Sequence, residues 1–181
     1  MSNIELICKK INSITEKYDS RDPFEICKAM DIHIYYKDLG TYIKAFYYYQ
    51  SRIKNIVINT SSCTVIRRIL CAHELGHAVL HGNLAAIRGF QETELFDRVV
   101  PTEYEANLFA AELVIPDDEL FELLSDRDKS FFCIAEELYV PAELLDFKFR
   151  ILKRKGYNIN IPTAATADFL KNNIPGSFGN V

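Results

Sequence analysis

Several things this sequence lacks narrow its class before any motif is read. No C-x-x-C pair occurs, and the five cysteines (Cys8, Cys27, Cys63, Cys71 and Cys133) are odd in number. That argues against a disulfide framework or a zinc ribbon; free thiols in a reducing cytoplasm fit better. No apolar run approaches the roughly 18 residues that span a membrane. The opening "MSNIELICKKINSITEKY" is interrupted by charge and lacks a signal peptide's apolar core, so a soluble, cytoplasmic protein is expected. Internal repeats and low-complexity tracts are missing too. Positive charge is not in excess: 21 Lys and Arg stand against 25 Asp and Glu, a net charge of -4. The isoelectric point is about 5.6. Direct nucleic-acid binding is therefore not expected. What is present is a chain of 181 residues, 49% hydrophobic and 25% charged, enough for one cored domain with a small appendage.

Periodicity sketches the organisation. Ile4, Ile7, Cys8, Ile11, Ile14 and Tyr18 recur at helical spacing. A second helix starts at "DPFEICKAM", with Asp22 as cap and Pro23 in the first turn. Three β-rich segments follow, "DIHIYYKDL", "YIKAFYYYQ" and "NIVINT". The short "SRIKN" link between the last two implies an antiparallel hairpin. A long helix over "SSCTVIRRILCAHELGHAVLHG" is capped by Ser61 or Ser62 and ends near Gly82. About twenty residues of weak periodicity come next, with room for one short helical turn, and a connection of that length is more often functional than idle. "EYEANLFAAELVIP" is a short helix stopped at Pro116, and three further short helices run to about residue 156. The Asn-, Pro- and Gly-rich remainder reads as a tail with one turn at "TADFLKN". The fold class is α+β.

Histidine is scarce, yet three of the four fall at 73, 77 and 81. His73, Glu74 and His77 form an H-E-x-x-H pattern. Four residues on a helix advance about 6 Å and turn slightly more than once, so both imidazoles leave one face and can converge on an ion. Zinc takes such nitrogens at about 2.0–2.1 Å and leaves a position open. Glu74 sits beside the pair as general base. His81 lies about 12 Å along the axis from His73, too far to share a metal, and reads as the helix's polar C-terminal cap. Gly76 costs about 1 kcal/mol in a helix, which asks for close packing under the site.

A third ligand must come from a carboxylate. "EYEANLFAAEL" offers Glu103, Glu105 and Glu112. Glu103 shares a stripe with Ala106 and Ala110, small residues that let helices approach, while Glu105 points some 160–200° away. Asn107, one turn on, could hold the distal nitrogen of a ligating histidine. Glu103 is the expected ligand, with Asn107 behind it and Glu105 as the alternative.

These two segments together resemble the ImmA/IrrE family of bacterial zinc metallopeptidases. The family pairs H-E-L-G-H with E-x-x-A-N-x-F-A-A-x-L-x-x-P, and Glu103, Ala106, Asn107, Phe109, Ala110, Ala111, Leu113 and Pro116 fit it. The likeness covers about residues 20 to 155. It implies a zincin-like fold in which a small antiparallel sheet packs on the active-site helix, followed by a mostly helical C-terminal part. By position it makes His73, His77 and Glu103 the Zn2+ ligands and Glu74 the base. It also implies cleavage of a helix-turn-helix repressor of a mobile element or stress regulon. The alternative is a non-catalytic module on the same fold that binds the repressor or DNA. The expected division is 1–116 for the metallopeptidase core, 117–156 for a small helical subdomain and 157–181 for the tail.

Two other features stand out. "FYYYQ" at 46–50 reads as a strand whose tyrosines alternate between core and water; the functional alternative is an edge strand that pairs with a substrate peptide or lends a phenol to an oxyanion. The five basic residues of "KFRILKRKG" read as a solvated helix end complementing the dipole; a contact for DNA or an acidic partner is the alternative. Cys71 reads as a buried structural thiol.

Overall fold

The computed structural model describes residues 3–82, 90–92, 96, 100–126 and 128–158. Their elements are α1 (Asn3–Tyr18), α2 (Pro23–Ala29), β1 (Ile32–Lys37), β2 (Ala45–Gln50), β3 (Ile53–Asn59), α3 (Thr64–Leu80), β4 (Phe90–Glu92), α4 (Pro101–Val114), α5 (Asp117–Ser125), α6 (Phe131–Glu137) and α7 (Ala142–Arg154). The class is α+β, as the sequence pattern implies. None of these helices is long and apolar enough to cross a membrane. β4 is a strand within the long connection after α3, where periodicity gave no hint of one. The helical turn expected in that connection and the one at "TADFLKN" lie outside the described residues.

The expected antiparallel sheet is mixed. Its order is β1-β3-β2-β4. β2 and β3 form the antiparallel hairpin, and β4 pairs antiparallel with β2, but β1 runs parallel to β3. Residues 38–44 carry the chain from β1 across two strand spacings, about 10 Å. The hairpin then returns β3 into the gap in the direction of β1. Alternation along each strand cannot reveal that insertion. Asn59, buried at the end of β3, holds this crossover in place. Its Nδ2 donates to the carbonyls of Gly40 and Ile43, each at 2.8 Å, and its Oδ1 accepts from the Ser61 amide at 3.0 Å. Neither serine caps α3: the helix starts at Thr64, so the N-cap position falls on Cys63, which makes no side-chain cap.

Ala45 and Tyr47 of β2 stand opposite Ile58 and Ile56 of β3. These four share the core with Ile69, Leu70 and Leu75 of α3. Phe46 and Tyr48 point to the other face, where their rings lie 5.8 Å apart. The tyrosine run therefore alternates between faces, and Ala45, Phe46 and Tyr47 of β2 lie between β3 and β4. Burial, with Tyr49 nearby, pushes the Tyr47 phenol up to about 12.

α3 lies at the centre, against β2 and β3 on one side, α2 on another and α4 on a third. Residues 69 to 78 are buried without a break. A helix enclosed all round gains apolar burial along its whole surface but must find a partner for every polar side chain it carries. α4 is similar, buried from Ala106 to Val114 between α3, α1 and α7. Beyond it, a compact ion cluster ties α4 to the last helices. Lys148, 1% exposed, meets Glu112 at 2.6 Å and Asp117 at 2.5 Å; Lys155 meets the same two acids at 2.7 Å each. Arg150 pairs with Asp146 at 2.9 Å. The basic stretch at 148–155 is thus no uniform solvated face: Lys148 is buried among acids, Arg150 and Lys155 pair with acids from the surface, and Lys153 and Arg154 are exposed.

The β2–β3 turn offers a direct test of local strain. Ser51 and Arg52 are both left-handed, with φ of 53° and 66°, as a two-residue turn of the mirror-image type requires. The connection is therefore shorter than the "SRIKN" link expected, and residues 53 to 55 belong to β3. Neither side chain is suited to that backbone. The double substitution Ser51→Asn/Arg52→Gly is expected to raise stability by about 1 kcal/mol, read as a higher midpoint in urea unfolding. An unchanged or lower midpoint would contradict the turn assignment.

Candidate metal centre

The crossing of α3 and α4 brings the site together. Gly76 lies at the closest approach. A Cβ there would sit 3.2 Å from Phe109 Cβ and 3.3 Å from Ala106 Cα, so glycine lets the two backbones meet. One turn to either side, the polar residues of α3 face the start of α4.

His73 Nε2 and His77 Nε2 are 3.0 Å apart. Glu103 Oε2, from the first turn of α4, lies 3.1 Å from the first and 3.3 Å from the second. Among the described residues these three form the one cluster of His, Cys, Asp or Glu donors with metal-like spacing. Donors held tetrahedrally at about 2.0–2.1 Å from a zinc-sized ion stand about 3.3 Å from each other, so the triangle fits a small divalent cation.

The outer atoms of the two imidazoles decide what the inner ones carry. His73 Nδ1 lies 3.0 Å from Asn107 Oδ1. An amide oxygen only accepts, so Nδ1 bears the proton and Nε2 offers a lone pair in the neutral ring. His77 Nδ1 lies 3.2 Å from His81 Nδ1, and His81 Nε2 lies 2.9 Å from Glu105 Oε2. The same logic runs inward: the carboxylate accepts from His81 Nε2–H, His81 Nδ1 accepts from His77 Nδ1–H, and His77 Nε2 is left bare. Burial favours this neutral state and pushes His77 down to about 4, against the opposing influence of the Glu103 carboxyl beside it. For Glu103, burial alone would raise the carboxyl, but the closeness of the His73 and His77 rings more than offsets that and holds it well below the usual carboxylate range. With Nδ1 of each ring turned to an outer partner, the two Nε2 atoms and the Glu103 carboxylate make up a donor set that suits a divalent cation.

Glu74, next to His73, has no exposed surface. Glu112 faces the Lys148 cluster and takes no part. Glu105, the alternative to Glu103, reaches His81 and not the donor triangle. The face of α4 that meets α3 is wider than a single stripe: Glu103 and Asn107 occupy one flank, and Glu105 and Phe109 the other. The sequence reading of His81 as the helix end holds, but it did not include the contact of its ring with His77. His81 ends α3, its amide bonding His77 O at 2.9 Å, but its ring turns back along the helix. The i, i+4 spacing from His77 carried that signal. His33 lies apart, half-exposed beside Asp31. Cys71 is fully buried with its Sγ 3.8 Å from that of Cys27. Burial raises its thiol well above the usual range, with Cys27 adding to the effect.

A family model described as "IrrE N-terminal-like domain", of a peptidase family, matches residues 27–150. The chain belongs to this ImmA/IrrE family. The match takes in α3 and α4 with all four of His73, Glu74, His77 and Glu103. Among named relatives, "Uncharacterized immunity region protein 2" of Bacillus phage phi105 is 36% identical over 143 residues, 79% of this chain and 89% of that one. "Metallopeptidase ImmA" of Bacillus subtilis (strain 168) is 27% identical over 140 residues, 77% of this chain and 81% of that one. A metallopeptidase-like protein implies a metal ion, and the two-histidine, one-glutamate cluster is where this member of the family can hold it.

The crossing is open to a packing test. Gly76→Val should force α4 away from α3 and cost about 1–3 kcal/mol of stability, seen as a lower unfolding midpoint. It should also weaken divalent-cation binding, because Glu103 moves with α4. Wild-type stability in this variant would mean that the helices do not meet at Gly76.

Proposed function

We propose that this protein is a zinc-dependent endopeptidase that cleaves a regulatory protein, and that its substrate is a helix-turn-helix repressor. The observation that carries the proposal is the convergence of His73 Nε2, His77 Nε2 and Glu103 Oε2 within 3.3 Å of one another, next in the chain to a fully buried Glu74. Zinc is preferred because two imidazoles and a carboxylate with an open position suit it. Support for the substrate class is the likeness to a phage immunity region protein and to a metallopeptidase named ImmA. On this reading residues 1–116 form the catalytic core, 117–156 a helical supplement, and the protein works in the cytoplasm beside the repressor.

Held by these residues, zinc supplies a Lewis acid that polarises the scissile carbonyl and makes water nucleophilic near neutral pH. The chain does the rest. His73 and His77 present lone pairs along directions set by their outer hydrogen bonds. Glu103 adds one negative charge, so the site keeps net positive character for the developing oxyanion. Glu74 accepts the proton of the attacking water and returns it to the departing amine. Asn107 fixes the ring of His73 without itself touching the reacting atoms.

Two outcomes test this reading. Glu103→Ala should weaken zinc binding by more than about 100-fold, beyond the range typical of outer partners, in a chelator-competition titration. Retained affinity would remove Glu103 from the ligand set. Glu74→Gln should keep stoichiometric zinc yet lower cleavage of the helix-turn-helix repressor of the same genetic element by about 10²–10⁴-fold. If that variant relieves repression as fully as the wild type, the protein acts by sequestering its partner and not by proteolysis.

A further inference from the structure

The two histidines of the donor triangle are supported differently. His73 leans on a neutral amide, Asn107 of α4. His77 leans on a second imidazole, which leans on a carboxylate. The chain runs from Glu105 Oε2 to His81 Nε2 at 2.9 Å, and from His81 Nδ1 to His77 Nδ1 at 3.2 Å. It continues outward, since Asn3 Nδ2 of α1 donates to Glu105 Oε1 at 2.6 Å. Exposure grades along it, from 1% for the His77 side chain through 6% for His81 to 25% for Glu105. The His77 and His81 rings sit 5.3 Å apart at 50°.

We propose that His81 and Glu105 are positioning residues for metal binding: they lock His77 in the tautomer and orientation that aim Nε2 at the ion. The proposal rests on the metal-site reading above. The chemistry favours it because each link has one proton and one acceptor. Glu105 can only accept, His81 in its neutral form both donates and accepts, and His77 must then donate outward through Nδ1. If His81 presented a proton at Nδ1, it would face the proton on His77 Nδ1 and turn the ring away. A negative charge at the far end also makes the His77 ring a better donor to a cation, as a carboxylate behind a ligating histidine does elsewhere. α3 supplies His77 and His81, while α4 supplies Glu105 as well as Glu103. The two-residue step from Glu103 to Glu105 places one acid at the ion and the other at the end of the relay.

The test is a metal titration of the purified full-length chain, with a readout other than peptidase activity. Zn2+ affinity is measured by competition with a chromophoric chelator for the wild type and for His77→Ala, His81→Leu, His81→Gln, Glu105→Gln and His81→Leu/Glu105→Gln. The expected result is a loss of about 10–100-fold for His81→Leu and a smaller loss for Glu105→Gln. The double variant should bind no more weakly than His81→Leu alone, because a broken chain cannot be broken twice. His81→Gln should recover part of the loss, since its amide can accept from His77 and donate to Glu105. Co2+ substitution should show an altered visible spectrum in His81→Leu but not in a surface control such as Lys153→Ala.

Several results would overturn the proposal. One is affinity within twofold of wild type in both His81→Leu and Glu105→Gln. Another is additive loss in the double variant, which would mean separate structural effects. Glu105→Gln removes a charge from a partly exposed side chain, so it keeps the question answerable if His81→Leu fails to fold. The metal-site reading itself fails in a different way: the wild type would bind no ion, or His77→Ala would bind as tightly as the wild type.

Discussion

Everything about the site depends on how closely α3 and α4 cross. α3 is a helix with no solvent face along its central ten residues, and it carries His73, Glu74 and His77 in that stretch. Burying such groups costs several kcal/mol unless each is matched. Glycine at 76 removes the side chain that would hold α4 away, so Glu103, Glu105 and Asn107 arrive at hydrogen-bond distance. The same contact that permits dense packing of Ala106 and Phe109 also supplies the carboxylate and the amide that the buried histidines need. Packing and chemistry are one constraint here.

That constraint orders the surrounding architecture. The mixed sheet gives α3 a flat apolar floor through Ala45, Tyr47, Ile56 and Ile58. Asn59 fastens the loops that bring β3 between β1 and β2 and lead on into α3. On the other side, the Glu112, Asp117, Lys148 and Lys155 cluster anchors the far end of α4 to α5 and α7. Its buried pair, Lys148 with Glu112, contributes little net stability against a well-packed apolar alternative. The cluster joins the C-terminal end of α4 to α5 and α7, at the opposite end from Glu103. The polar residues thus form two separate groups at opposite ends of α4, one at the donor triangle and one at the C-terminal helices.

Much of this was legible in the sequence, and the reasons differ by residue. The H-E-x-x-H spacing specifies one face of one helix, so His73 and His77 followed from helix geometry alone. Glu103 followed from sharing a stripe with Ala106 and Ala110. Asp22 and Pro23 marked the start of α2 by their own chemistry. The misses are cases where tertiary pairing decides. Parallel pairing of β1 with β3 depends on which gap the hairpin fills, and no strand records that. β4 is too short to show a period. Ser61 and Ser62 look like caps, but α3 starts at Thr64 and the cap position falls on Cys63. His81 was read as a helix end because its distance from His73 excludes a shared ion. Its bond to His77 emerges only once Glu105 is seen to orient it.

The central claim is that the α3–α4 crossing builds a metal centre from two imidazoles and a carboxylate. X-ray absorption at the zinc edge of the zinc-loaded protein tests it most directly. The account predicts a first shell of nitrogen and oxygen at about 2.0–2.1 Å, with the multiple-scattering signature of two histidine rings and no sulfur. A zinc–sulfur distance of about 2.3 Å, or a shell of oxygen alone without imidazole scattering, would contradict it.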